Sequence, residues 1–187
     1  QEIAFQRLLQ CSTTRKAYSA LTAKEVDVIF AFEPSAEQLR EAKERGVTLR
    51  LIPIGQEAFV FLTHTDNPVS TLTREQIRGI YTRRIDNWKE LGGANARILP
   101  FQRPQNSGSQ TIMEHMVMEG KPLTEPLREE FLYEMGGVMV RLADYRNEAA
   151  SIGYSFRRYA LGQKMKDLKF LAVDGVDPSP EHVADGT

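Results

Sequence analysis

Arg103 is followed four residues later by the triplet Ser107, Gly108 and Ser109, and the chain then enters the apolar helical run "QTIMEHMVM". A guanidinium presents a planar fork of donors that matches two oxyanion oxygens. A helix that begins at Ser-Gly-Ser adds backbone N–H groups without intrahelical acceptors, two hydroxyls and the positive end of the helix dipole. Arg103 folding back over that helix start would make an anion site. The same residues also have a plain reading, in which Ser107 or Ser109 is an N-cap and Arg103 a surface residue. A second polar cluster, Ser12, Thr13 and Thr14, stands before another helical run and carries the same two readings.

Other chemistries find little support. His115 lies eight residues beyond Ser107, which on one helix separates them by about 12 Å, and no GxSxG elbow accompanies a base at His64. No GxxxxGK[ST] loop is present, which argues against a nucleotide-hydrolysing phosphate site. His64, His115 and His182 are scattered without metal-ligand spacing, and the sole cysteine, Cys11, permits neither an internal disulfide nor a CxxC motif. No metal, cofactor or catalytic residue is expected. A net charge of -1 gives no basic face for nucleic acid. No apolar run reaches the roughly 20 residues of a membrane span. The paired arginines at 83–84 and 157–158 read as solvated surface charge, and "EMGGV" at 134–138 either allows close backbone approach to a ligand or makes a tight turn.

The elements that must hold these residues follow from periodicity and caps. With 41% hydrophobic residues over 187 positions, the chain suits one globular domain or two small lobes. It has no initiator Met, and the first residues already show helix-like spacing, so it is expected to begin inside a fold. A helix precedes the break at 12–14, a second covers "RKAYSALTAK", and "VDVIFAF" reads as a strand. Ser35 with Gln38 and Thr73 with Gln76 are capping boxes, opening helices over "AEQLREAKERG" and "REQIRGIYTRRI". Gly46 is placed to terminate the first of these. "VTLRLIPIG", "EAFVFLTH", "RILPF", "SIGYSF" and "DLKFLAVDGV" read as strands. Helices are expected at "GSQTIMEHMVMEG", over 127–133, after the Gly-Gly pair, and at "RRYALGQKM". This alternation predicts an α/β chain with mostly parallel sheet.

"STTRKAYSALTAKEVDVIFAFEPSAEQ", "NPVSTLTREQIRGIYTRRIDNWKELGG", the R-x-x-x-S-G-S segment at 103–109 and "IGYSFRRYA" together resemble the phosphate-binding proteins of ABC transporters. The resemblance implies a two-lobed periplasmic-binding-protein-like fold truncated at both ends, with residues 1–60 and 157–187 on one lobe and 61–156 on the other. It implies that Arg103, Ser107, Gly108 and Ser109 are second-lobe ligands of the anion, and that Thr14 or its neighbour Thr13 supplies a first-lobe hydroxyl. The full expected set is Thr13, Thr14, Arg103, Ser107, Gly108, Ser109 and Gln110. Where many such proteins carry an aspartate that accepts the phosphate proton, this chain has Phe32 and then Glu33, and the orientation of Glu33 is left open. The implied function is non-enzymatic, extracytoplasmic capture of inorganic phosphate or a similar oxyanion by a monomer, for delivery to a membrane permease. The alternative is a sensory or scaffold domain of the same fold that does not bind phosphate tightly.

Overall fold

The structure is a computed structural model that describes residues 10–132, 150–163 and 167–185. The helix expected over the first residues, the Gly-Gly turn and the helix after it lie outside these. Packing divides the chain into two units, one of residues 1–52 with 105–111, the other of 53–104 with 112–187.

In the first unit, helix α1 (Thr14–Thr22) is capped by Thr13, whose side chain accepts from the Lys16 amide. Helix α2 (Ala36–Glu44) opens on the expected box, with both Ser35 and Gln38 engaged, and Gly46 follows it at φ +65°. The two helices are tied by Thr22 Oγ1, which reaches Glu41 at 3.5 Å, while Tyr18 turns inward and donates from its hydroxyl to the Phe32 carbonyl at 2.7 Å. The expected strands at 26–32 and 47–55 run without ladder hydrogen bonds, and in this unit Val28, Phe30 and Ile52 are 70%, 78% and 64% exposed. A strand exists only when a neighbour accepts its N–H groups, and the described residues of this unit provide none.

The second unit carries a five-stranded sheet. Its strands are β1 (Phe59–His64), β2 (Thr71–Leu72), β3 (Leu99–Pro100), β4 (Ser151–Phe156) and β5 (Leu168–Val173), in the order β2-β5-β1-β4-β3. Central β1 runs antiparallel to both neighbours, β4 and β5, whereas edge strands β2 and β3 join in parallel, so the sheet is mixed rather than mostly parallel. Side chains alternate across β1. Phe61 joins a cluster with Ile77, Ile80, Trp88, Ile152 and Leu171. Val60 and Leu62 enter a second cluster with Phe101, Leu132 and Ala160. Helix α3 (Arg74–Tyr81) opens on the Thr73–Gln76 box and sends Ile77 and Ile80 into the first cluster. The short turn Trp88–Leu91 sets the Trp88 indole, which donates to the Ala150 carbonyl at 2.8 Å, and Gly92 at φ +83° closes it.

Leu168–Val173 pairs with Phe61–His64 in the second unit. Two expectations change here. The helix expected over 127–133 shrinks to a single turn, Arg128–Glu130, because Phe131 bridges to Gln102 instead of continuing it. Helix α4 (Gly108–Ile112) runs into a wider π turn, Met113–Val117, in which the Met118 amide reaches back to the Met113 carbonyl at 2.9 Å. Short helices α5 (Arg157–Gly162) and α6 (Pro180–Asp185) complete the described elements.

Candidate anion site

Within the first unit, the starts of α1 and α4 come together. A Cβ built on Gly108 would lie 3.2 Å from Thr14 Oγ1 and 3.2 Å from the Phe32 ring, so only glycine lets the backbone approach this closely without displacing a neighbour. Thr14 and Gly108 stand 94 positions apart in the sequence (108 less 14). The N–H groups of Gly108 and Ser109 open α4 and have no intrahelical acceptors. Ser107 fills the capping role, its hydroxyl 3.4 Å from the Gln110 amide and its carbonyl 3.0 Å from the Thr111 amide.

Ser109 is different. It is fully buried, and its Oγ has no hydrogen-bond partner among the described residues. An unsatisfied buried hydroxyl costs free energy, so it marks a place where a polar group from outside the chain would be accepted. Gln110 is buried beside it in sequence.

Asn106 holds this loop in place. It takes a left-handed conformation, φ +63°, which asparagine tolerates better than most residues. Its Oδ1 accepts from Ser35 Oγ at 2.6 Å, its Nδ2 donates to Glu37 at 2.7 Å, and its carbonyl lies 3.5 Å from Gln38 Nε2. The loop is thereby bound to the first turn of α2. The sequence reading missed Asn106, although an asparagine directly before Ser-Gly was a visible signal for a left-handed turn.

The remaining predicted residues fall in different places. Thr13 is exposed and its hydroxyl caps α1, whereas half-buried Thr14 is the one that faces Gly108. Glu33 is exposed, and burial raises the Tyr18 phenol above its ordinary value with a smaller contribution from the Glu33 charge.

Arg103 belongs to the second unit and is buried rather than a surface residue. Its amide donates to the Tyr154 hydroxyl at 3.2 Å and its Nη1 to the Leu132 carbonyl at 2.7 Å. Burial pushes the Tyr154 phenol well up, so it remains protonated beside the guanidinium. Arg83, read from the sequence as solvated, forms an ion pair with fully buried Glu130; its neighbour Arg84 does lie at the surface, 2.6 Å from Glu75. In the same unit His64 Nδ1 accepts from the Asp66 amide at 3.2 Å.

Among the described residues no group of three or more His, Cys, Asp or Glu is arranged to hold a metal ion, and no helix is long and apolar enough to cross a membrane.

A family model for the PBP superfamily domain matches residues 9–187. The chain belongs to the PBP superfamily. Among its relatives, the phosphate-binding protein PstS of Bacillus subtilis is 28% identical over 155 residues, covering 81% of this chain and 48% of its own. A phosphate ABC transporter substrate-binding protein of Clostridium perfringens, solved with bound phosphate, is similar in structure with a TM-score of 0.73 at 28% identity; the match covers 91% of this chain and 65% of that one. An ABC-type phosphate transport receptor of Vibrio cholerae shares the fold, with a TM-score of 0.67 at 18% identity over 93% of this chain and 67% of that one. This PBP superfamily chain therefore spans about half the length of the B. subtilis relative and about two thirds of the solved neighbours.

Proposed function

We propose that this chain is the ligand-binding part of an extracytoplasmic receptor that captures inorganic phosphate, or an oxyanion of the same shape, and passes it to the membrane permease of an ABC transporter. The observation that carries the reading is the buried, unpartnered hydroxyl of Ser109 at a helix start whose glycine touches Thr14. Thr14, Ser107, Gly108 and Ser109 would donate hydroxyls and N–H groups, with Thr13 and Gln110 beside them. Arg103, four residues from Ser107, would add the neutralising guanidinium. The phosphate-bound relative from C. perfringens supports the choice of anion.

The magnitudes require several donors. Micromolar affinity corresponds to about 8 kcal/mol, and a hydrogen bond to a charged group contributes about 1.5–3 kcal/mol before ordering costs. One helix start falls short of that total, so the hydroxyls and the guanidinium must act with it. The role is reversible capture by a monomer, with no bond made or broken.

The test is an NMR titration with inorganic phosphate that follows backbone amides. Binding at the proposed site moves the Gly108 and Ser109 amides first and saturably. Shifts confined to other amides would refute the assignment.

A further inference from the structure

Glu130 is fully buried, and the proposed function makes no use of it. Its Oε2 receives the Arg83 guanidinium and, at 2.9 Å, the Leu127 amide. Its carbonyl accepts from the Gln102 amide at 2.8 Å, and the Gln102 carbonyl accepts from the Leu132 amide at 3.0 Å. Gln102 also donates from Nε2 to the Thr124 carbonyl at 2.8 Å. Segment 127–132 is thus laid alongside strand β3 and its extension, and at its far end the Leu132 carbonyl accepts from Arg103 Nη1. From the other side, Tyr154 receives the Arg103 amide, and the Tyr81 hydroxyl reaches the Phe101 carbonyl at 3.4 Å.

We infer that the Arg83–Glu130 ion pair positions the Arg103 guanidinium, by fixing segment 127–132 so that the Leu132 carbonyl orients it. A buried charge is strongly disfavoured without its partner, so either partner lost alone loosens the start of the segment, which the backbone bonds to Gln102 do not hold. The backbone bonds to Gln102 keep the segment beside β3, while the Arg83–Glu130 pair and the Leu127 amide fix its start, so losing the pair shifts the Leu132 carbonyl from its 2.7 Å contact with Arg103. The pair matters for the anion only through Arg103, so this inference rests on the phosphate reading for its consequence, though not for its geometry.

The experiment compares wild-type protein with Glu130→Gln, Arg83→Met and Arg83→Lys in two readouts. Calorimetric titration with inorganic phosphate is expected to give a Kd raised about tenfold in Glu130→Gln and Arg83→Met, and little changed in Arg83→Lys, which keeps the charge. Placed on an Arg103→Lys background, Glu130→Gln is expected to add no further loss, an outcome that general loosening of the fold would not give. The second readout needs no ligand: the side-chain Nε–Hε resonance of Arg103, identified by its loss in Arg103→Lys, is expected to shift and exchange faster in Glu130→Gln. A folded Glu130→Gln protein in which that resonance is unmoved overturns the inference, as does an equal loss of affinity on the Arg103→Lys background. A wild-type protein that ignores phosphate while the resonance moves in the variant overturns the phosphate reading and upholds the positioning role. Should Glu130→Gln fail to fold, Arg83→Met supplies the same comparison.

Discussion

Ser109→Ala separates a ligand-binding hydroxyl from a packing one, because the two roles predict opposite signs. The Ser109 side chain is fully buried and its Oγ is unsatisfied among the described residues. Such a group costs the unliganded protein about 1–3 kcal/mol. Alanine removes the polar atom and keeps the Cβ, so the free protein should be unchanged or more stable, with a melting temperature raised by about 2–4 °C for each kcal/mol recovered. With phosphate bound, the same hydroxyl would make a charge-assisted hydrogen bond of about 1.5–3 kcal/mol. Its loss should weaken Kd by about 10- to 150-fold. Thermal unfolding without ligand and calorimetric titration with phosphate measure the two quantities on one preparation. A phosphate Kd unchanged within about twofold would mean that the hydroxyl makes no bond to the anion, and a free protein destabilised by more than about 1 kcal/mol would give it a partner inside the fold; either result refutes the reasoning.

Other substitutions test the supports. Gly108→Ala should weaken phosphate binding because its new methyl meets Thr14 Oγ1 and Phe32 at 3.2 Å. Thermal unfolding of the same variant should show a loss of about 1–3 kcal/mol from overpacking, and full retention of affinity would contradict the close approach. Asn106→Gly keeps the left-handed turn but loses the contacts to Ser35 and Glu37, and Asn106→Ala loses both turn and contacts. Denaturant unfolding should therefore rank alanine below glycine by about 1 kcal/mol, and the reverse order would mean that the turn does not constrain this loop. Burial holds the Tyr81 and Tyr154 phenols above their ordinary value. Their stabilising contribution is complete below about pH 10, the unfolded value, and is lost as pH rises toward the higher folded values. Absorbance titration should accordingly show these two ionising only as the protein unfolds in alkali, and ionisation of both in a still-folded protein would contradict their burial.

The parts of the fold that were legible in the sequence are those written by local chemistry. Ser35 with Gln38 and Thr73 with Gln76 form their boxes as the spacing predicts, and Gly46 takes the left-handed conformation that closes its helix. Runs such as "FVFLTH" and "SIGYSF" become strands because each finds a partner in the other. "VDVIFAF" and "VTLRLIPIG" have equal β character and form no ladder, since periodicity selects a conformation but cannot supply a neighbour. Direction of pairing was likewise illegible, because the antiparallel position of β1 against β4 and β5 is set by long-range packing. In the candidate site, the helix-start pattern at 107–110 was readable, and so was the polar cluster at 13–14. That Thr14 rather than Thr13 faces Gly108 was not, since a choice between adjacent residues depends on the rotation of α1. Arg83 illustrates the same limit: an arginine in a run of charges gives no local sign that a buried carboxylate 47 positions away is its partner.

The most direct test of the central claim is calorimetric titration of the chain with inorganic phosphate, run beside Arg103→Ala. The proposed receptor role predicts saturable one-to-one binding that the substitution abolishes. The absence of saturable heat up to millimolar phosphate, or binding that survives loss of Arg103 undiminished, would contradict it.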